Sequence, residues 1–166
     1  FGTISAFISI FAQSRGIQNP GFFFMVQAIA LLVARTFAGR LADQRGRAAA
    51  IVPGIIAMAA ALALLPLASG FPSFVVSASL FGLGFGTAQP ATMALLIDRV
   101  RSEQRGLATG TYFTGFDAGI SIGSILLGVV SQYWGFGAMW LISAACTLLG
   151  LAGLLTDRRS GGSSAA

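Results

Sequence analysis

One acidic residue, Asp117, lies deep inside an apolar stretch and is the residue best placed to do chemistry. It stands about ten residues from the end of its stretch, which is roughly 15 Å at the ~1.5 Å rise per residue of a helix. A charge at that depth in lipid costs about 2.5–3.5 kcal/mol, so Asp117 is expected to face a polar interior. Burial also favours the protonated form of a carboxyl group. We predict that Asp117 exchanges a proton or pairs with substrate; the alternative is a carboxyl group that only holds helices together.

Further polar side chains interrupt the same and other apolar stretches, and the most prominent are Gln27, Gln89, Tyr112 and Thr114. A polar group inside a membrane helix faces protein or water rather than lipid. These residues are therefore predicted to line a cavity. For Gln27, Gln89 and Tyr112, hydrogen bonding between helices is the alternative to substrate contact.

The composition shows what kind of element must carry these residues. Of the 166 residues 55% are hydrophobic and 9% are charged, and the mean hydropathy is +0.83. A soluble domain carries roughly 25% charged residues, so the chain is predicted to be an integral membrane protein. It has no His and one Cys, so an enzyme lacks its usual catalytic groups, and no metal or cofactor site is predicted. The net charge of +5 does not indicate a nucleic-acid partner, because the arginines lie at the ends of apolar stretches.

Six apolar stretches follow one another, and they do not show the alternation of strands. A helix needs about 20 apolar residues to cross a bilayer, and unpaired backbone groups cannot face lipid. The chain is therefore predicted to be an all-α, polytopic membrane bundle of six transmembrane helices. The first helix is read as truncated at a cut end of a longer protein. The predicted helices span about 1–12, 21–38, 48–68, 72–97, 107–131 and 137–156.

The arginines give the orientation of this bundle. Nine of the ten arginines lie in or near the connections after the second, fourth and sixth stretches, which are on the same side of the membrane. Only Arg15 lies on the other side. The positive-inside rule makes the arginine-rich side cytoplasmic, including the C-terminus. Residues 157–166 are predicted to form a disordered cytoplasmic tail.

Glycines mark surfaces where helices approach each other closely. Gly115, Gly119 and Gly123 recur every four residues, which predicts a small face along the fifth helix for close helix packing. The polar residues are concentrated in the second, fourth and fifth stretches, whereas the stretch at 48–68 has none. The first, second, fourth and fifth helices are therefore predicted to line the cavity, with the third and sixth peripheral.

Two charged motifs flank these helices. The loop after the second stretch contains charged residues between and beside two glycines, Gly39 and Gly46. The connection after the fourth stretch contains Asp98 and Arg105, and Arg105 is followed by Gly106, Ala108 and Gly110. The first motif resembles the loop signature of the major facilitator superfamily, and the second is similar to another pattern of that family. Gly84, Gly86 and Pro90 in the fourth stretch also fit. The residues of the loop motif are Gly39, Arg40, Asp43, Gly46 and Arg47.

The resemblance covers essentially the whole chain and implies the C-terminal six-helix half of a secondary transporter working by alternating access. It implies that Asp43 and Arg47 make cytoplasmic contacts with the missing N-terminal half. We expect proton-coupled efflux of a small molecule across a bacterial inner membrane, with the lipid bilayer as surroundings. The alternatives are an uptake permease for a metabolite and a helical membrane subunit that does not transport.

Overall fold

The computed structural model describes residues 1–161, with side chains described for 1–156. The described residues form five α-helices and no strand: α1 Gly2–Ser14, α2 Gly21–Arg45, α3 Arg47–Leu64, α4 Phe71–Asp98 and α5 Arg105–Gly161. Short 3-10 turns, Leu65–Leu67 and Ser102–Gln104, follow α3 and precede α5. Four helical stretches within the described residues are long and apolar enough to cross a membrane: Gly21–Arg45, Arg47–Leu67, Phe71–Asp98 and Ser102–Thr156. The predicted helical membrane fold is confirmed.

The last helix, α5, is interrupted once. Gly135 has φ 77° and ψ 171°, a conformation that side chains disfavour and glycine adopts without strain. It separates a first arm, residues 105–134, from a second arm, residues 136–161. Leu127 of the first arm and Ser143 of the second line the same cavity, so the arms lie side by side. This hairpin corresponds to the fifth and sixth predicted helices.

Close backbone contacts fix the directions of the central helices. Gly82 of α4 faces Gln27 and Ala30 of α2, and Gly86 faces Leu31 and Ala34, so α2 and α4 run in the same direction. Gly54 of α3 faces Gly84 and Ala88, whereas Met58 faces Gly84, so α3 runs opposite to α4. Small residues permit such approaches between helices. Helix α4 is thus packed between α2 and α3.

The connections between helices gather at two opposite ends of the bundle. At one end, here called the arginine end, Arg47 at the start of α3 contacts Asp43 near the end of α2 and Asp98 at the end of α4. At the other end, Arg15 donates a hydrogen bond of 3.0 Å to the Pro66 carbonyl oxygen. The Phe22 and Phe71 rings, at the starts of α2 and α4, also meet there, with centroids 5.8 Å apart.

Aromatic side chains form the core that joins α1 to the rest. Phe11 lies against Phe74 of α4 and against Trp140 of the second arm, with ring centroids 5.7 and 5.6 Å apart. Phe81 and Trp140 are fully buried. Aromatic pairs of this kind contribute about 0.5–1.5 kcal/mol beyond the burial of their area. The core lies away from the arginine end.

The helix boundaries differ from the sequence-based ones at two places. Helix α2 continues through Gly39 to Arg45, so the predicted loop is reduced to a turn at Gly46, whose φ is +83°. Ala42 is buried in the packing, which explains why the helix continues. Helix α5 reaches Gly161, five residues into the segment predicted to be disordered. Residues 162–166 lie outside the described part of the chain, as do the side chains of Arg158 and Arg159.

The glycines of the first arm do not make the close contact expected of them. No heavy atom of another helix lies within 4 Å of the position that a Cβ atom would take at Gly115, Gly119 or Gly123. Their face borders a cavity of about 530 Å³ between α1 and the two arms. Close helix approaches are made instead by glycines of α3 and α4 and by Gly2 of α1, where an added Cβ atom would lie 2.8 Å from the Ile120 carbonyl oxygen of the first arm.

Candidate functional site

A cavity of about 610 Å³ opens near the arginine end, between α2, α4 and the first arm of α5. Four of the ten polar and charged residues predicted from the sequence line it. Gly39 and Asp43 reach it from α2, Arg47 from α3, Gln89 from α4 and Tyr112 from α5. Its polar lining residues are Arg35, Asp43, Arg47, Gln89 and Tyr112.

The charged part of the cavity is an ion-pair network centred on Arg47. Its Nη1 lies 2.9 Å from Oδ1 of Asp43, and its Nε lies 3.0 Å from Oδ2 of Asp98. Both contacts are charge-assisted hydrogen bonds, which are stronger than those between neutral groups. The network connects the end of α2, the start of α3 and the end of α4. Two motifs that lie far apart in the sequence therefore share one guanidinium group.

The other members of the two motifs lie outside this network. Arg40 and Arg105 are exposed, and neither forms an ion pair among the described residues. Gly46 supplies the turn that brings α3 back beside α2, and its φ of +83° suits glycine. Gly39 is helical and borders the cavity, where its missing side chain leaves space.

The neutral polar residues of the cavity come from two helices. Gln89, immediately before Pro90 in α4, accepts a hydrogen bond of 3.4 Å at Oε1 from Nη2 of Arg35. The Tyr112 ring stacks on Phe116, with centroids 6.3 Å apart and planes 12° apart, which positions its hydroxyl group beside the cavity. That hydroxyl group has no hydrogen-bond partner among the described side chains. Gln89 and Tyr112 thus both line this cavity, and their contact with a substrate stays a prediction.

The remaining predicted residues do not line this cavity. Asp117 and Thr114 are exposed on the first arm of α5, and the Asp117 carboxylate has no hydrogen bond or ion pair to any described residue. Gln27 is buried between α2 and α4, and its Oε1 has no hydrogen-bond partner within the described structure. Gln27 is therefore packed between helices rather than presented to a cavity in this part of the chain.

Arg35 also lines the cavity, although it is not among the site residues predicted from the sequence. The structure places it within α2, about ten residues or roughly 15 Å before the helix end. A signal for this was present in the sequence: Ala34, Ala38 and Ala42 recur every four residues and are all buried. This spacing indicates that the helix continues beyond Ala38.

The described residues do not suggest a metal centre, because they contain no group of three His, Cys, Asp or Glu side chains that could hold an ion. The cavity instead offers hydrogen-bond donors and acceptors together with apolar side chains such as Met93 and Phe113. Such a combination is typical of small-molecule binding sites.

Comparisons with known proteins agree with this description. The sequence model of the Major Facilitator Superfamily matches residues 1–165. An uncharacterized MFS-type transporter of Salmonella typhimurium is 27% identical over 152 residues, covering 92% of this chain and 39% of that protein. The multidrug resistance protein MdtG of Dickeya zeae is 28% identical over 151 residues, covering 87% and 37%. The MdtG of Enterobacter lignolyticus is 27% identical over 156 residues, covering 90% and 37%.

The chain thus spans less than two fifths of the length of these relatives. No solved structure matches it significantly. The family match confirms the resemblance drawn from the two charged motifs, and it agrees with the prediction that the chain is not an enzyme.

Proposed function

The chain belongs to the Major Facilitator Superfamily, and from that premise we propose that it forms the C-terminal six-helix half of a secondary transporter. In this proposal an N-terminal half completes the protein, and a small molecule passes between the halves by alternating access. The observation that carries the proposal is the cavity at the arginine end. It brings Gln89 and Tyr112 of two different helices to one space beside α2.

The proposed transport is efflux driven by the proton gradient. The names of the MdtG relatives support export of drugs, although the name of the Salmonella relative gives no direction. Asp117 is the proposed proton-binding residue because its carboxylate is exposed on the first arm and unpaired among the described residues. Thr114, one turn before it, is the proposed polar neighbour.

The Arg47 network is the proposed latch of one of the two states. Asp43 is more exposed than Arg47, with 70% against 30% of the side chain accessible, so it can engage a partner without leaving α2. Contacts with the N-terminal half would compete with the Asp43–Arg47 pair and so couple the turn at Gly46 to the state of the transporter. Gly39, Arg40 and Arg105 extend this surface.

The proposed orientation places the arginine end in the cytoplasm of a bacterial cell, with the protein in the inner membrane and the C-terminus inside. Its support is the arrangement of the connections. The α2–α3 and α4–α5 connections, with most of the arginines in them or at the adjoining helix ends, lie at one end of the bundle, and the α1–α2 and α3–α4 connections lie at the other.

The test uses the complete protein in proteoliposomes with a fluorescent drug as substrate. The Asp117→Asn variant is expected to lose drug accumulation driven by a pH gradient while retaining exchange of drug against drug, because exchange needs no proton transfer. Ser121→Ala is the matched control, since its hydroxyl group bonds only the Asp117 backbone carbonyl, at 2.9 Å. Gradient-driven accumulation that is unchanged in Asp117→Asn would remove Asp117 from the proposal. A complete wild-type protein that moves no drug would overturn the transport proposal itself.

A further inference from the structure

Arg35 is a cation placed inside a membrane-spanning helix. Helix α2, Gly21–Arg45, is one of the stretches able to cross a membrane, and Arg35 lies roughly 15 Å before its end. An ionisable residue at such a depth is costly and is retained where it faces a cavity and has a partner. Arg35 does line the cavity at the arginine end. The group that interacts with the Arg35 guanidinium group in this cavity therefore has to be identified.

The two arginines of the cavity differ in how their charge is balanced. Arg47 lies between two carboxylates, Asp43 and Asp98, at 2.9 and 3.0 Å. Arg35 has no carboxylate within ion-pair distance in residues 1–156, and its one recorded hydrogen bond is donated to the neutral amide of Gln89 at 3.4 Å. A guanidinium group has five N–H donors, so most of its donors remain available. Arg35 is therefore the arginine of the cavity that no carboxylate of residues 1–156 contacts, while Arg35, Arg47, Asp43 and Asp98 together have no net charge.

We infer that Arg35, together with Gln89 and Tyr112, forms a binding site for the carboxylate group of an amphiphilic organic anion. The planar guanidinium group matches the two oxygens of a carboxylate, and the Tyr112 hydroxyl group supplies another donor at the same cavity. Met93 and Phe113 line the cavity beside these groups and would contact the apolar part of the ligand. The inference rests on the proposed function, since it names the substrate class of that cavity.

The experiment measures binding of three probes that share one fluorophore and differ in charge, using the complete protein purified in detergent. Dansylglycine carries a carboxylate, dansylamide is neutral and dansylcadaverine is cationic. The wild type is expected to bind dansylglycine about 10-fold more tightly than dansylamide, as one charge-assisted contact would give. Arg35→Gln is expected to abolish this preference while binding dansylamide within twofold of the wild type. Arg35→Lys should retain part of the preference for dansylglycine, because an ammonium group keeps the charge but cannot donate two parallel hydrogen bonds to a carboxylate.

Arg101→Gln is the matched control, because Arg101 is an exposed arginine outside the cavity and should leave all three affinities unchanged. Equal affinity of the wild type for dansylglycine and dansylamide would overturn the inference, since it would mean that another part of the complete protein already neutralises Arg35. A preference that survives Arg35→Gln would overturn it as well. If Arg35→Gln does not fold, an undiminished preference in Arg35→Lys would also count against the site.

Binding and transport separate the two proposals. Drug transport by the wild type without any preference for dansylglycine supports the transporter and overturns the anion site. A preference for dansylglycine that depends on Arg35, in a protein that moves none of the probes, supports the site and contradicts the transport function.

Discussion

The crossing of α3 and α4 gives the sharpest test of the fold, through the substitution Gly84→Ala. A Cβ atom added at Gly84 would lie 2.5 Å from the carbonyl oxygen of Gly54 and 2.8 Å from the backbone nitrogen of Met58. Both atoms belong to the backbone of α3. They cannot turn aside as the end of a flexible side chain would, so α3 has to move away from α4.

The magnitude follows from two opposing effects. Replacing a helical glycine by alanine favours the helix by up to about 1 kcal/mol. Forcing an extra carbon into a packed interface costs about 1–3 kcal/mol, and backbone atoms at 2.5–2.8 Å place Gly84 at the upper end of that range. The expected net result is a loss of about 1–2 kcal/mol in the free energy of unfolding.

The assay is unfolding of the complete protein in mixed micelles with increasing dodecyl sulfate, followed by circular dichroism. Gly119→Ala is the matched control, since no heavy atom lies within 4 Å of its added Cβ and only the gain in helix propensity remains. The control should therefore unfold at the same or a slightly higher dodecyl sulfate fraction. A Gly84→Ala variant as stable as Gly119→Ala would refute the close α3–α4 crossing and the reasoning built on it.

Three further substitutions test other features. Gly46→Ala is expected to lower the free energy of unfolding by about 1–2 kcal/mol because the φ of Gly46 is +83°. Gly39→Ala should not destabilise the protein, because Gly39 is helical and no heavy atom lies within 4 Å of the added Cβ atom; unfolding in dodecyl sulfate compares the two variants. Asp98→Asn removes one of the two ion pairs of Arg47, and since the groups are exposed to solvent only a small decrease in the unfolding midpoint is expected, which a double-mutant cycle with Arg47→Gln would measure. Gln27→Leu should leave transport unchanged and raise stability by up to about 1 kcal/mol because Oε1 is buried without a partner, and a loss of transport would show that Gln27 contacts substrate.

The sequence alone was sufficient for the helical fold because its signal is strong and local. Long apolar stretches, separated by connections that are alternately rich and poor in arginine, leave few alternatives to a membrane bundle. The sequence also predicted that Gln89 and Tyr112 line a cavity, since polar groups in such helices avoid lipid, but it did not predict that the loop motif borders the same cavity. The α1 helix, Gly2–Ser14, shows the same local signal over a shorter range.

The details that could not be anticipated depend on which residues meet across helices. The loop motif was predicted to be a loop because its charges end the apolar stretch. In the structure α2 continues past buried Ala42, so Arg35 lies well before the end of the helix, where it lines the cavity. Gly115, Gly119 and Gly123 of the first arm have the spacing of a packing surface, yet no heavy atom of another helix lies within 4 Å of the position that an added Cβ atom would take. Similarly, Asp98 is bound by Arg47, 51 positions away, rather than by a residue of its own motif.

The three glycines of α4 have a consequence for the orientation of that helix. Gly82 and Gly86 lie one turn apart on the side that touches α2, and Gly84, between them in sequence, touches α3 on the other side. Since both sides rest on the backbones of neighbours, α4 cannot rotate about its long axis unless α2 or α3 shifts with it. The azimuth of Gln89, less than two turns further along, is therefore set by these glycines. A rotation of α4 that moves the Gln89 side chain to another side of the helix therefore requires α2 or α3 to shift as well.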